Sequence, residues 1–333
     1  MGDKVCTTCW KWSGGTAQVC PQCGGALVPA SAPAETAFRS GGRAIHMQNP
    51  PHGAMRPAHR AWLRCFLILS ILLVLLFMVF PLPQLGLWGD PGCGFTWGSC
   101  TRVLFIGNSY TGVNDLPTTF ADLAWAEGHR VDTGALDQGG STLAEHAAAP
   151  ATGTMLASEK WNVVVLQEQS EIPSVAWSRL NEMYPAATEL VGMIRQRGAE
   201  PMFYLTFAHE GGWPQAGLPD YASMQAAVDD GYLGIASELV VPIAPVGDAW
   251  QTVVNEQANP NLWQGDGSHP TTNGTYLAAC VFYAAIFQQS PVGSTYQDGL
   301  SAGEALRLQQ AAATTVLSDP AKWGILSLPG GVR

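Results

Sequence analysis

From Thr101 onward, short unbroken apolar runs alternate with longer stretches whose apolar residues recur at helical spacing. The runs are Val103–Ile106, Val131–Leu136, Trp161–Leu166, Met202–Phe207 and Leu239–Val246. The helix-like stretches are Leu116–Glu127, Leu143–Glu159, Leu180–Arg197, Tyr221–Glu238, Tyr276–Gln288 and Gly303–Leu317. A strand that is apolar at consecutive positions is buried on both faces, as in a parallel sheet covered by helices. The pattern predicts an α/β domain over 101–333, a three-layer α/β/α sandwich around a parallel sheet of about five strands.

A different apolar pattern precedes it. Cys65–Phe80 is uncharged and continuously apolar, extended by Trp62-Leu63 and by Leu82–Trp88. At a rise of ~1.5 Å per residue, about twenty such residues cross a bilayer, so 62–82 reads as a transmembrane helix. A signal peptide would begin near the N-terminus, and a buried core helix would show polar positions at helical spacing. Lys4, Lys11, Arg39, Arg43, Arg56, Arg60 and Arg64 precede the run against only Asp3 and Glu35. That bias predicts a cytoplasmic N-terminus and an extracytoplasmic C-terminal domain, with Trp62 and Trp88 near the two interfaces.

The 333 residues carry a net charge of −10 and are 47% hydrophobic, which excludes a disordered chain and gives no footprint for nucleic acid. The cysteines divide by compartment. Cys6-x-x-Cys9 and Cys20-x-x-Cys23 lie on the predicted reducing side and read as two knuckles of a zinc ribbon over 1–28, with a structural site made of all four thiolates. A redox dithiol pair or two disulfides are the competing readings. So small a segment needs the metal to fold, and its use would be structural or as an adaptor for a cytoplasmic protein. Residues 29–60, rich in Pro, Ala, Gly and His, read as a flexible linker, and 83–100 as a stalk in which Cys93 and Cys100 can close a disulfide loop. Cys65 and Cys280 sit in apolar contexts and read as packing residues.

The candidate chemistry lies in two segments. Val103–Ile106 breaks at Gly107-Asn108-Ser109, which puts a serine at a strand's end, where α/β sheets bind ligands. Asp266-Gly-Ser-His269-Pro sets a carboxylate three residues before an imidazole, close enough to hold one ring nitrogen and leave the other as a base. Ser109 alone would be a turn or capping serine, and His269 alone a surface histidine. Together they supply nucleophile, base and orienting acid. His129, His146 and His209 lack such company and read as structural, although His209 follows the fourth strand and is a candidate substrate contact. Trp177, Trp213, Trp250 and Trp263 suit either sugar stacking or core packing.

These motifs resemble the SGNH, or GDSL-type, hydrolases over 101–318. Leu104–Ser109 resembles the family's first block, which implies that Ser109 is the nucleophile and that its N–H is an oxyanion donor. Asp137–Thr142 resembles the second block, which implies a donor at Gly140, and Asp266–Pro270 resembles the last. Two departures stand out. Gly-Asn-Ser replaces Gly-Asp-Ser, and the third block, Gly-x-Asn-Asp, is replaced by Gln167-Glu-Gln169-Ser170. The alignment implies that Gln169 supplies the missing carboxamide donor, with Gln167 as the second choice. The resemblance implies a serine esterase without a catalytic cofactor; with the predicted span it would be membrane-anchored, acting on acyl, chiefly acetyl, esters of small molecules or glycans, the glycan preference resting on its exposed placement, acidity and aromatic content. The alternative is a catalytically silent glycan- or surface-binding module on the same fold.

Overall fold

A computed structural model of the chain describes residues 4–6, 12–13, 27–29, 93, 100–256 and 260–325. The chain divides into two compact units, Met1–Leu82 and Pro83–Arg333. In the first, strands β1 (Lys4–Cys6), β2 (Trp12–Ser13) and β3 (Leu27–Pro29) form an antiparallel sheet in the order β2-β1-β3, with Cys6 opposite Leu27. Outside the described residues lie Cys9, Cys20 and Cys23, the linker beyond Pro29, the apolar run at 62–82 and most of the stalk. Among the described residues no helix is long and apolar enough to cross a membrane, and no group of three or more His, Cys, Asp or Glu is placed to hold a metal ion.

The second unit is the predicted α/β/α sandwich. Its strands are β4 (Thr101–Ile106), β5 (Val131–Leu136), β6 (Val163–Leu166), β7 (Glu200–Tyr204) and β8 (Ile243–Ala244). They lie in the order β5-β4-β6-β7-β8 and every pair is parallel. β6 is buried at all four positions, as its unbroken Val-Val-Val-Leu requires. The α-helices of four residues or more among the described residues are α1 (Ser109–Gly112), α2 (Leu116–Ala126), α3 (Leu143–Ala148), α4 (Pro150–Ser158), α5 (Tyr184–Gln196), α6 (Tyr221–Leu239), α7 (Val246–Val254), α8 (Thr272–Phe287) and α9 (Ala302–Leu317). Neighbouring residues of β7 show the two faces: Phe203 packs edge-on against Tyr232 of α6, and Tyr204 against Phe282 of α8. α8 is buried from Gly274 to Phe287, because the sheet lies on one side and α2, α7 and α9 pack around it.

Element boundaries differ from the sequence reading in several places, of which three change an element's length or kind. Leu143–Glu159 is two helices, because Pro150 cannot continue the first and opens the second. Leu180–Arg197 begins as a π-helical turn, Arg179–Met183, before α5. Leu239–Val246 yields only Ile243–Ala244 as strand: Val240 caps α6 in a left-handed conformation, and Pro245 opens the unforeseen α7.

The topology locates a crevice. The chain passes from β4 outward to β5, then crosses back to β6 on the other side of β4. In doubly wound sheets this reversal opens a cleft beyond the carboxyl ends of the two strands. Ser109 follows β4, and Gln167–Ser170 follows β6.

Candidate active site

At the end of β4 the chain must turn sharply to release Ser109 from the sheet. Asn108 makes that turn and caps α1, its Oδ1 accepting from Tyr110 N at 3.1 Å. Its Nδ2 donates to the Ser141 carbonyl at 2.9 Å, which an aspartate could not do. Gln167, fully buried, completes the frame. Its Oε1 accepts from Asn108 N and from Thr111 Oγ1, both at 3.0 Å, and its Nε2 donates to Asn108 Oδ1 at 2.9 Å. Gly107 admits this approach, since a Cβ there would collide with the Gln167 amide. Buried His146 donates Nε2–H to the Gly107 carbonyl at 2.7 Å, a structural role as its lack of acidic company suggested.

The acid–base loop is self-contained. Asp266 Oδ1 accepts from Ser268 N at 2.9 Å and from His269 N at 3.0 Å. Asp266 Oδ2 accepts from His269 Nδ1 at 2.6 Å. The Ser268 N–H bond, then the bonds from His269, hold the Asp266 carboxyl down to about 2. Because that carboxylate is ionised, Nδ1 donates to it, which leaves Nε2 to accept from Ser109 Oγ at 3.0 Å. The structure therefore brings Ser109, His269 and Asp266 into one hydrogen-bonded line.

The two glutamines separate cleanly. Gln167 is spent inside the protein. Gln169 lines the cleft with its Oε1 fixed, accepting from Glu171 N at 2.9 Å and Ile172 N at 3.3 Å, so its amide presents N–H to the outside. One of these donors reaches Ser170 Oγ at 3.3 Å. Gly140, with φ +78°, lines the same cleft, and its N–H bonds to no other described residue. Glu168, between the glutamines, was not foreseen. It is fully buried, and its Oε1 accepts from Leu143 N at 3.1 Å and Gln169 N at 2.7 Å, tying the loop that carries Gly140 to the one that carries Gln169. Burial pushes its carboxyl up to about 7, and Oε2 has no hydrogen-bond partner among the described residues.

The cleft above Ser109 has a volume of about 420 Å³. Its lining residues are glycines, polar side chains and Tyr110, with no aliphatic side chain among them. Tyr110 anchors the floor: its ring stacks on Phe207 at 4.6 Å, Phe207 stacks on Trp250 at 3.6 Å, and its hydroxyl meets Ser268 Oγ at 2.9 Å. Trp250 and Trp263 are thus core residues, whereas Trp177 is exposed. His209, read from sequence as structural or a substrate contact, lines the cleft. Cys93 and Cys100 are joined in a disulfide ahead of β4, and Cys280 is a buried free thiol.

No protein-family model matches the chain, and no curated protein matches it. Solved structures do. A DUF4886 family protein from Bacteroides uniformis ATCC 8492 aligns over 66% of this chain and 95% of its own, at 22% identity and a TM-score of 0.58. A candidate SGNH hydrolase from Slackia heliotrinireducens aligns over 55% of this chain and 97% of its own, at 27% identity and a TM-score of 0.47. A single-substitution variant of Axe2, an acetyl xylan esterase from Geobacillus stearothermophilus, aligns over 56% and 94%, at 19% identity and a TM-score of 0.44. The likeness to the Bacteroides protein bears on the fold, which the two chains share.

Proposed function

We propose that the protein is a serine esterase of the SGNH type, with Ser109 as nucleophile, His269 as general base and acid, and Asp266 as the carboxylate that orients it. The observation that carries this reading is the unbroken line Asp266–His269–Ser109 opening into a cleft. Ser109 Oγ attacks the ester carbonyl carbon as its proton passes to His269 Nε2. The carbonyl oxygen becomes an oxyanion, received by Ser109 N–H, Gly140 N–H and Gln169 Nε2–H. As the intermediate collapses, the bond to the leaving oxygen breaks and that oxygen takes the proton from Nε2. Water then attacks the acyl-enzyme by the same route, releasing the acid and returning the proton to Ser109. No step needs a cofactor.

The lining supports short acyl groups, acetyl foremost, because a long chain would find no apolar wall to bury against. Acetylated glycans are the expected substrates. The test is full-length protein with a fluorophosphonate probe and 4-nitrophenyl acetate. Ser109 is expected to be labelled and the ester cleaved, with Ser109→Ala and His269→Ala inactive; folded wild type that does neither would refute the reading.

We further propose a membrane-anchored arrangement, resting on the apolar run at 62–82 of the sequence, with a zinc ribbon inside and the esterase outside. In sequence, both cysteine knuckles fall around the connections of a three-stranded antiparallel sheet, a frame that suits a ribbon with four thiolate ligands. The Cys93–Cys100 disulfide suits an oxidising compartment. Zinc held by Cys6, Cys9, Cys20 and Cys23 would stabilise this unit alone. Metal analysis of wild type against Cys20→Ser, and resistance of the protein to alkaline extraction from membranes, test the two parts.

A further inference from the structure

One wall of the cleft is built from residues that the reaction above leaves unused. After β7 the chain runs through Ala208 and His209 to Glu210, and three bonds fix this segment. Ala208 N donates to Gln225 Oε1 at 2.7 Å, Trp263 Nε1 donates to the Ala208 carbonyl at 3.1 Å, and Glu210 N donates to the Gly267 carbonyl at 2.8 Å. The last fastens His209 to the loop that carries Asp266 and His269. His209 Nε2 meets Ser170 Oγ at 3.2 Å, while Nδ1 bonds to no described residue. Burial lowers its pKa, so the ring is neutral near pH 7 and offers a hydrogen bond rather than a charge. Glu171 lines the same wall, and its carboxylate makes no ion pair or hydrogen bond with another described residue.

The chemistry assigns one half of the ester to this wall. His269 Nε2 delivers its proton to the leaving oxygen, so the alcohol must lie beside the His269 loop, to which His209 is fastened. The carbonyl oxygen turns toward Gly140 and Gln169, and Ser170, whose Oγ meets both Gln169 Nε2 and His209 Nε2, joins that side of the cleft to the His269 loop. Resting on the esterase reading, we propose that Ser170, Glu171 and His209 form a subsite for the alcohol half of the ester, and that this alcohol is neutral and polyhydroxylated, a sugar. A carboxylate accepts from two adjacent hydroxyls at once, and a serine and a neutral imidazole add one hydrogen bond each. An anionic alcohol would be repelled by Glu171. An aliphatic alcohol would strip water from these groups and return no hydrogen bonds, the kind of mismatch that polar sites reject most strongly.

The test compares an acetylated methyl glycoside, acetylcholine and 4-nitrophenyl acetate as substrates of the full chain. For Glu171→Ala and His209→Ala, KM for the glycoside is expected to rise at least about tenfold more than KM for 4-nitrophenyl acetate, with kcat changing less than KM. Glu171→Gln, which keeps an acceptor oxygen, recovers most of the loss. Equal losses on glycoside and aryl ester, or no loss on either, overturn the subsite. So does a dependence on Glu171 that appears for acetylcholine and not for the glycoside, since that marks a cationic alcohol. Wild type that neither reacts with a fluorophosphonate nor cleaves 4-nitrophenyl acetate removes the esterase reading and this subsite together. Labelled, active enzyme without the selectivity removes the subsite alone.

Discussion

Gln167 and Glu168 are fully buried, whereas the Asp266 and His269 side chains are 48% and 35% exposed, although all four serve one cleft. The Ser109 side is a largely buried network whose members come from three loops distant in sequence, closed by Gln167, Asn108, Ser141 and Glu168. The other side is four consecutive residues in which Asp266 holds His269 through bonds within the loop. Substitutions on the first side therefore threaten stability and activity together. On the second side they threaten activity alone.

The sharpest test of that contrast is His269→Ala. Losing the base is expected to lower kcat by about 10⁴ or more, yet shift a urea unfolding midpoint little, because a partly exposed side chain leaves no cavity. An equally inert and strongly destabilised variant would erase the contrast. Gln169→Ala comes next. Loss of one preorganised donor costs ~10²–10³ in kcat, about 3 kcal/mol. Its Oε1 also caps the Ile172–Ser174 turn, so a stability loss of about 1 kcal/mol should accompany it. If Gln167→Ala instead shows the larger kcat effect at equal folded fraction, the oxyanion role belongs to the other glutamine.

The same contrast explains what could be read from sequence. Asp266 and His269 were legible because their partnership is local, three residues apart on one loop. Ser109 was legible because an apolar run stops at Gly107-Asn108. The five strands followed from their unbroken burial, and most helices from their spacing. The Gln167–Asn108 pairing was not legible, since its members follow neighbouring strands and only the register of β4 against β6 brings them together. Glu168 gave no signal at all: a glutamate between two glutamines after a strand reads as a polar loop, and only its burial reveals a clasp. Trp250 was ambiguous for the opposite reason, because a tryptophan's sequence neighbours do not say whether its face meets a ligand or Phe207.

Glu168 offers a test through pH. Its carboxyl is pushed from the ordinary 4.5 to about 7, so between those values the folded protein holds a proton that the unfolded chain has released. Its contribution to stability is fully present below pH 4.5 and is lost as pH rises through about 7, a change worth up to about 3 kcal/mol. Glu168→Gln keeps the acceptor for Leu143 N and Gln169 N and cannot ionise. Urea unfolding should find variant and wild type similar at about pH 5, with the variant more stable at about pH 8. Taking the difference between the two proteins removes the opposite slope of His209, whose lowered pKa makes stability rise with pH toward 6.5. Asp266 titrates near 2, below the window. A difference that stays flat from about pH 5 to about pH 8 would show that Glu168 is already ionised in the folded protein.

The smallest expected effect is the most counterintuitive. Asn108→Asp restores the Gly-Asp-Ser that the SGNH resemblance leads one to expect, so by motif alone it should be neutral or better. In this chain Asn108 Nδ2 donates to the Ser141 carbonyl, and its Oδ1 takes the Gln167 amide. A carboxylate keeps the second bond and sets an anion against the carbonyl in place of the first, in a buried position without a cation beside it among the described residues. The cost should be about 2 kcal/mol of stability, read as a lower urea midpoint. The loss in kcat should be several-fold, because Ser141 follows Gly140 directly and the displaced carbonyl moves that donor. Asn108→Asp that matches wild type in both measurements would mean the nucleophile turn does not depend on its buried amide network. The asparagine in place of an aspartate before Ser109 would then be incidental rather than paired with Gln167.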